Sequence, residues 1–147
     1  MKASSDFPNL NTRKPDGLSP EGVPYNILLV DDSIFVKKQL AQILTSESFN
    51  VIDMAGDGEE AVEKYKEHHP KIDLVTMDIT MPKMDGISAL EKIIEFDKNA
   101  KIIMISALGK QELVKKSLLL GAKNYIIKPL DRKKVLERIT SVIKRFS

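Results

Sequence analysis

Apolar residues along this chain fall into five short runs, at 26–30, 50–54, 73–77, 101–105 and 124–127. Each has the length of a strand, and runs such as Ile27-Leu28-Leu29-Val30 and Ile102-Ile103-Met104-Ile105 show no alternation, as expected of strands buried on both faces. Between and after them lie stretches with helical spacing, at 33–46, 58–68, 86–96, 110–120 and 131–145. The last puts Val135, Leu136, Ile139, Val142, Ile143 and Phe146 on one stripe. Ser33 and Asp131 are placed to cap the first and last helices, and Asp57 with Glu60 resembles a capping box. Gly121 stands where the fourth helix wants a left-handed C-terminal cap. Strands alternating with helices predict an α/β fold: a doubly wound, five-stranded parallel sheet covered on both faces. With strand order 2-1-3-4-5 it becomes a flavodoxin-like three-layer sandwich.

Residues 1–24 break this texture. They hold Pro8, Pro15, Pro20 and Pro24 with Gly17 and Gly22, and no hydrophobic period runs through them. A flexible tail over 1–24 is expected ahead of one domain over 25–147.

Composition narrows the function classes. A chain of 147 residues, 42% hydrophobic, suits one good core. A net charge of +2 with 30% charged residues gives no support for binding nucleic acid or an anionic membrane through bulk charge. No apolar run approaches transmembrane length, and no signal-peptide core follows Met1 to Asp6, so no membrane insertion and a cytoplasmic setting are expected. The absence of cysteine excludes disulfides and thiolate metal sites, which suits a reducing compartment.

The chemistry lies where the apolar runs end. Asp31-Asp32 ends the first, Asp78 the third, Ser106 the fourth and Lys128-Pro129 the fifth. Ligands of doubly wound sheets bind at the carboxyl ends of the strands, where strand order reverses. With strands 1 and 3 as neighbours, Asp31, Asp32 and Asp78 converge. Two carboxylates about 5 Å apart repel by roughly 3 kcal/mol at an effective dielectric near 20. Three such pairs cost on the order of 10 kcal/mol without a cation among them. An all-oxygen site with few protein ligands suits Mg²⁺. A carboxylate beside a metal and a lysine can also attack phosphorus to form an acyl phosphate. Any one of these residues alone would pass for a helix cap or a surface charge; their joint placement on four strand ends carries the signal.

These residues resemble the response-regulator receiver family. The matching stretches are Ile27-Leu28-Leu29-Val30-Asp31-Asp32, Asp78-Ile79-Thr80-Met81-Pro82-Lys83-Met84-Asp85-Gly86, Ser106-Ala107 and Lys128-Pro129, within residues 25–147. The resemblance implies that Asp78 accepts a phosphoryl group from a phosphohistidine on a sensor histidine kinase. It implies Mg²⁺ bound by Asp32, Asp78 and the Thr80 carbonyl, with Asp31 helping largely through water. Ser106 and Lys128 would contact the phosphoryl group, Tyr125 matches an aromatic switch, and the Lys128-Pro129 bond is commonly cis in the family. Single-domain layout and the segment Val75 to Pro82 look most like the chemotaxis (CheY-like) branch. That likeness implies a chemotaxis-type kinase, a flagellar motor switch protein and a phosphatase as partners. A phosphorelay intermediate or phosphate sink is the alternative within the family. Ser106 departs from the commoner threonine, keeping the hydroxyl but loosening its rotamer.

Two rivals remain on the residues alone. A haloacid-dehalogenase-type phosphatase needs a second acid two residues after its aspartate nucleophile, where this chain has Thr80. In a flavodoxin-like cofactor binder, Asp31-Asp32 would repel the phosphate its first loop must accept. His68-His69 invites a metal reading, but adjacent helical residues do not face one target, and histidine is favoured near a helix C-terminus. Gly56-Asp57-Gly58 lacks the lysine and spacing of a phosphate loop.

On the fourth helix, Leu113, Ser117 and Leu120 are assigned to the core face. Val114 and Leu118 fall on its flank and Leu119 points outward. Val114, Leu118 and Leu119 with Tyr125 are therefore expected to form a surface for a phosphorylation-dependent partner.

Overall fold

The computed structural model describes residues 13–146. Five strands alternate with five helices: β1 Asn26–Val30, α1 Ile34–Thr45, β2 Asn50–Ala55, α2 Gly58–His68, β3 Leu74–Asp78, α3 Gly86–Phe96, β4 Ile102–Ser106, α4 Gln111–Leu119, β5 Asn124–Ile127 and α5 Arg132–Phe146. The five strands pair in parallel, in the order β2-β1-β3-β4-β5, so the expected doubly wound sheet is found. Every element lies within a residue or so of its expected position.

The unbroken apolar runs have the expected cause, since β1, β3 and β4 are buried on both faces. Leu28, Val30, Val75, Met77, Ile102 and Met104 pack with α2, α3 and α4 through residues such as Tyr65, Leu90 and Val114. Ile27, Leu29, Leu74, Ile103 and Ile105 pack with α1 and α5 through Leu40, Leu44, Val135, Ile139 and Val142. Thr76 is the polar exception on the second face; among the described residues its buried Oγ1 has no hydrogen-bond partner.

Caps set the helix starts. Ser33 Oγ accepts from Val36 N at 3.2 Å, and Asp131 Oδ2 accepts from Lys134 N at 3.0 Å. The Asp57–Glu60 pair forms half of a capping box. Asp57 Oδ1 accepts from Glu60 N at 2.8 Å, while Glu60 Oε1 reaches Gly56 N (2.7 Å) rather than the cap residue's own amide. Gly121 takes φ +119° after α4, as expected of a C-terminal glycine. The two histidines diverge: His68 Nε2 lies 2.8 Å from Asp53 Oδ2, and His69 Nε2 lies 3.5 Å from Asp97 Oδ2.

Part of the expected tail differs. Its first twelve residues lie outside the described residues, but 13–24 are held against the domain. Glu47, buried just past α1, accepts from Arg13 Nη1 and Nη2 at 3.2 and 2.9 Å and from the Asp16 amide at 2.9 Å. Arg132 Nη2 approaches the same carboxylate at 3.3 Å. The Gly17 amide donates to the Glu47 carbonyl (2.7 Å), and Tyr25 N donates to the Gly17 carbonyl (2.8 Å). A Cβ on Gly17 would collide with the backbone of Glu47 and Phe49, so only glycine fits this crossing. The anchor is an ion pair and backbone hydrogen bonds, which leave no hydrophobic period to read.

Among the described residues, no helix is long and apolar enough to cross a membrane.

Candidate functional site

Sheet register assembles the site one residue at a time. Val30 pairs with Met77, so Asp31 and Asp78, each one residue further on, come side by side. Asp78 pairs with Ile105, which places Ser106 one step beyond, and Ser106 pairs with Ile127, one residue before Lys128. The row Asp31, Asp78, Ser106, Lys128 thus crosses the carboxyl edge of four adjacent strands. Carboxylate oxygens of Asp31, Asp32 and Asp78 lie within 4.8 Å of one another. Lys128 Nζ stands 3.2 Å from Asp31 Oδ2 and 3.6 Å from Asp78 Oδ1. Lys128-Pro129 is cis, as the resemblance implied.

Local backbone positions Asp78. The chain after β3 folds back so that the Gly86 amide donates to the Ile79 carbonyl at 2.7 Å. A Cβ on Gly86 would strike the Asp78 carbonyl oxygen, so α3 begins against the end of β3 only because this residue is glycine. Asp85 caps α3 through the Ser88 amide at 2.8 Å, and the Gly58 amide ties the same loop to α2 through the Met84 carbonyl at 2.9 Å.

Electrostatically the site lacks positive charge. One ammonium faces three carboxylates. Burial and then the nearby Asp31 charge push the Asp78 carboxyl up from 3.8 to about 7, while Lys128 pulls it back down. Asp31 is fully buried. Its Oδ1 accepts from Ser33 N at 2.9 Å, but its Oδ2 accepts no hydrogen bond among the described residues despite the nearby ammonium. A buried carboxylate oxygen without a donor, in a cluster of oxygens carrying excess negative charge, fits a hard divalent cation. The three acidic groups could hold a metal.

Other expected residues fall into two sets. Ser106 is buried beside the row, and its hydroxyl donates to the Ala107 carbonyl at 3.1 Å. Thr80 is exposed two residues after Asp78, in the loop leaving the site. Tyr125 is half-buried and lines, with Leu108, Val114, Leu118 and Ile127, a groove of about 410 Å³ between α4 and β5. Leu118 is 39% and Leu119 is 89% exposed, as expected of surface residues. Val114 is corrected: at 6% exposure it belongs to the core and forms the floor of the groove. It takes the inward position assigned to Leu113 and Leu120, which are only partly buried. A small rotation of α4 about its axis accounts for the exchange.

Two residues of consequence were not expected. Glu47 sits among serines, and nothing in that stretch marks it as buried. Arg138 lies over the Tyr125 ring, 4.9 Å from its centroid. Its place immediately before Ile139, at the edge of the α5 stripe, is the one sequence signal that could have found it.

The Response regulator receiver domain family matches residues 27–140 of this chain. The chain is 69% identical over 144 residues to the chemotaxis protein CheY of Treponema pallidum, covering 98% of this chain and all of that one. It is 49% identical over 119 residues to the chemotaxis protein CheY of Bacillus subtilis, covering 81% of this chain and 98% of that one. Among solved structures, the CheX-CheY-BeF3-Mg²⁺ complex from Borrelia burgdorferi contains a chain that superposes with a TM-score of 0.86 at 65% identity. That likeness covers 88% of this chain and 98% of the other.

Proposed function

This chain belongs to the response regulator receiver domain family, and we propose that Asp78 is its phosphoacceptor. The family works as a signalling switch, with Mg²⁺-dependent phosphorylation on an aspartate, and this chain has high identity to chemotaxis CheY proteins.

One observation carries the assignment: Asp78 stands in mid-row between Asp31 and Ser106, with Lys128 Nζ 3.6 Å from its Oδ1. The reaction this supports is an in-line displacement. An Asp78 carboxylate oxygen attacks the phosphorus of a phosphohistidine on a sensor histidine kinase, the O–P bond forms as the P–N bond breaks, and the imidazole stays on the donor. Lys128 and Ser106 meet the phosphoryl oxygens, the first with charge and the second with a hydroxyl. Asp31, Asp32, Asp78 and the Thr80 carbonyl would hold Mg²⁺, which supplies positive charge against the transferred oxygens. Attack needs Asp78 ionised, and both cations favour that form against the burial that opposes it. Hydrolysis of the acyl phosphate in the same site resets the switch, so the chain catalyses its own phosphorylation and dephosphorylation only.

Output is by binding. The groove between α4 and β5, lined by Leu118 and Tyr125, together with the exposed Leu119 on α4, is the surface offered to a phosphorylation-dependent partner. Identity to chemotaxis proteins supports a chemotaxis kinase as donor, a flagellar motor switch protein as target and a phosphatase as third partner, in the cytoplasm. Incubation with acetyl phosphate and Mg²⁺, followed by mapping of the modified residue, tests the assignment. Modification of Asp78, lost in Asp78→Asn, is the expected result; labelling that persists on another aspartate overturns it.

A further inference from the structure

Tyr125 lies between two unlike surroundings. On one side is the apolar groove lined by Val114, Leu118 and Ile127. On the other is α5, whose Arg138 guanidinium lies over the ring at 4.9 Å from its centroid. Arg138 is itself fastened: Nη1 donates to Asn124 Oδ1 at 2.9 Å and to the Tyr125 carbonyl at 3.0 Å. Both acceptors belong to the start of β5, and neither is part of the Tyr125 ring.

That fastening gives the contact a direction. A free arginine on a surface helix would follow the ring wherever it went and favour no arrangement. A guanidinium tied to the β5 backbone stays in place when the tyrosine side chain turns about χ1, so the ring loses the cation as it leaves. A ligand or contact shifts a two-state equilibrium only through such a difference between the states. We propose that Arg138 is a positioning residue for Tyr125, holding the ring in its resting arrangement and so weighting the switch toward the unphosphorylated state. This rests on the reading of Tyr125 as the aromatic switch of the phosphorylated site.

A half-buried cation–π contact of this kind is worth a factor of about two to five in a two-state equilibrium. By linkage, its loss raises affinity for a phosphoryl mimic by no more than the same factor. Lysine in its place keeps the charge but loses the planar fork that both covers the ring and bridges two acceptors, so it should hold the ring less well.

The chain has three tyrosines, Tyr25, Tyr65 and Tyr125, so fluorine NMR of the full chain labelled with 3-fluorotyrosine reads each ring separately. The Tyr125 signal is assigned by its loss in Tyr125→Phe. Wild type is compared with Arg138→Met and Arg138→Lys, each with and without beryllofluoride and Mg²⁺. The expected result is a Tyr125 signal that moves on adding beryllofluoride in wild type. In ligand-free Arg138→Met it should already lie part of the way there, with Arg138→Lys between, and with Tyr25 and Tyr65 unchanged. A Tyr125 signal that responds to beryllofluoride in wild type but keeps its wild-type position in both variants overturns the role of Arg138 and leaves the switch standing. No response to beryllofluoride in wild type overturns the switch reading itself. Movement of all three signals in the variants shows a general loosening of the fold and overturns the proposal.

Discussion

The Lys128 ammonium lies nearer to Asp31 than to Asp78, 3.2 Å against 3.6 Å, and the Asp31 oxygen it approaches accepts no hydrogen bond among the described residues. The lysine is drawn toward the buried neighbour of the proposed nucleophile. The Asp78 carboxyl is raised to about 7, first by burial and then by the Asp31 charge. Asp78→Asn should therefore stabilise the metal-free protein in a pH-dependent way. Below about pH 4 the group is protonated in both folded and unfolded chains, and the substitution should be close to neutral. From there to about pH 7 the unfolded chain ionises first, so wild-type stability falls and the variant gains by about 2–4 kcal/mol. Urea melts at the two ends of this range would show it; an equal gain at both ends would mean that charge is not the cause.

Magnesium should supply the missing charge. At 10 to 100 times its Kd, it should stabilise wild type by about 1–3 kcal/mol. Asp32→Ala should lose most of that gain. Thermal melts with and without millimolar Mg²⁺ measure both, and a wild type indifferent to magnesium would refute the shared-cation site.

Removing Glu47 should unfasten the N-terminal strap. Glu47→Gln is expected to cost no more than about 1 kcal/mol, because the donors, half-exposed Arg13 and Arg132 and the Asp16 amide, lose a charged acceptor in a place where solvent screens the loss. Hydrogen bonds from Arg13 and the Asp16 amide hold the Glu47 carboxyl below its ordinary value. Its contribution is therefore present above the usual carboxylate range and fades as pH falls through the lowered value. Deletion of residues 1–23 should cost about as much while leaving phosphorylation unchanged, as denaturation curves and acetyl phosphate labelling would show.

Thr76→Val should stabilise the domain by about 1 kcal/mol. It replaces a buried hydroxyl that has no partner among the described residues with a methyl of similar shape, on a face shared with Leu29 and Ile103. Chemical denaturation tests this directly.

Leu118→Asp should weaken binding to the phosphorylation-dependent partner by about tenfold while labelling of Asp78 stays at wild-type rate. Titration of the beryllofluoride-loaded protein with the proposed motor switch partner gives the first, and a labelling time course gives the second. Equal loss of both would return Leu118 to a structural role.

Much of this was legible in the sequence because the sheet is parallel and buried. Strands covered on both faces must be apolar throughout, so the point where charge appears marks the strand end, and four such points gave Asp31, Asp78, Ser106 and Lys128. Residues whose roles depend on the angle at which elements pack were harder to read. Val114 and Leu113 differ by 100° around one helix, less than the uncertainty in how α4 would sit on the sheet. Arg138 over Tyr125 joins α5 to β5, and no spacing in either element encodes the meeting. Glu47 and Gly17 meet through backbone atoms, which hydrophobic pattern does not report.

Because every residue of the row Asp31, Asp78, Ser106 and Lys128 follows directly on a paired strand position, the proposed chemistry is inherited from the hydrogen-bond ladder of the sheet, not from the order in which the chain visits its strands. The opposite edge is free of that constraint, and there the strap and the end of α5 line one cavity, through Lys14, Tyr25, Thr140 and Ile143. The two ends of the described chain are therefore neighbours, and a short linker could join them. New termini opened in the exposed turn around Lys98-Asn99, between α3 and β4, would give a circular permutant with the same ladder. Such a rewired chain would keep its proposed phosphoryl chemistry while presenting its ends to a fused sensor or reporter at the turn between α3 and β4.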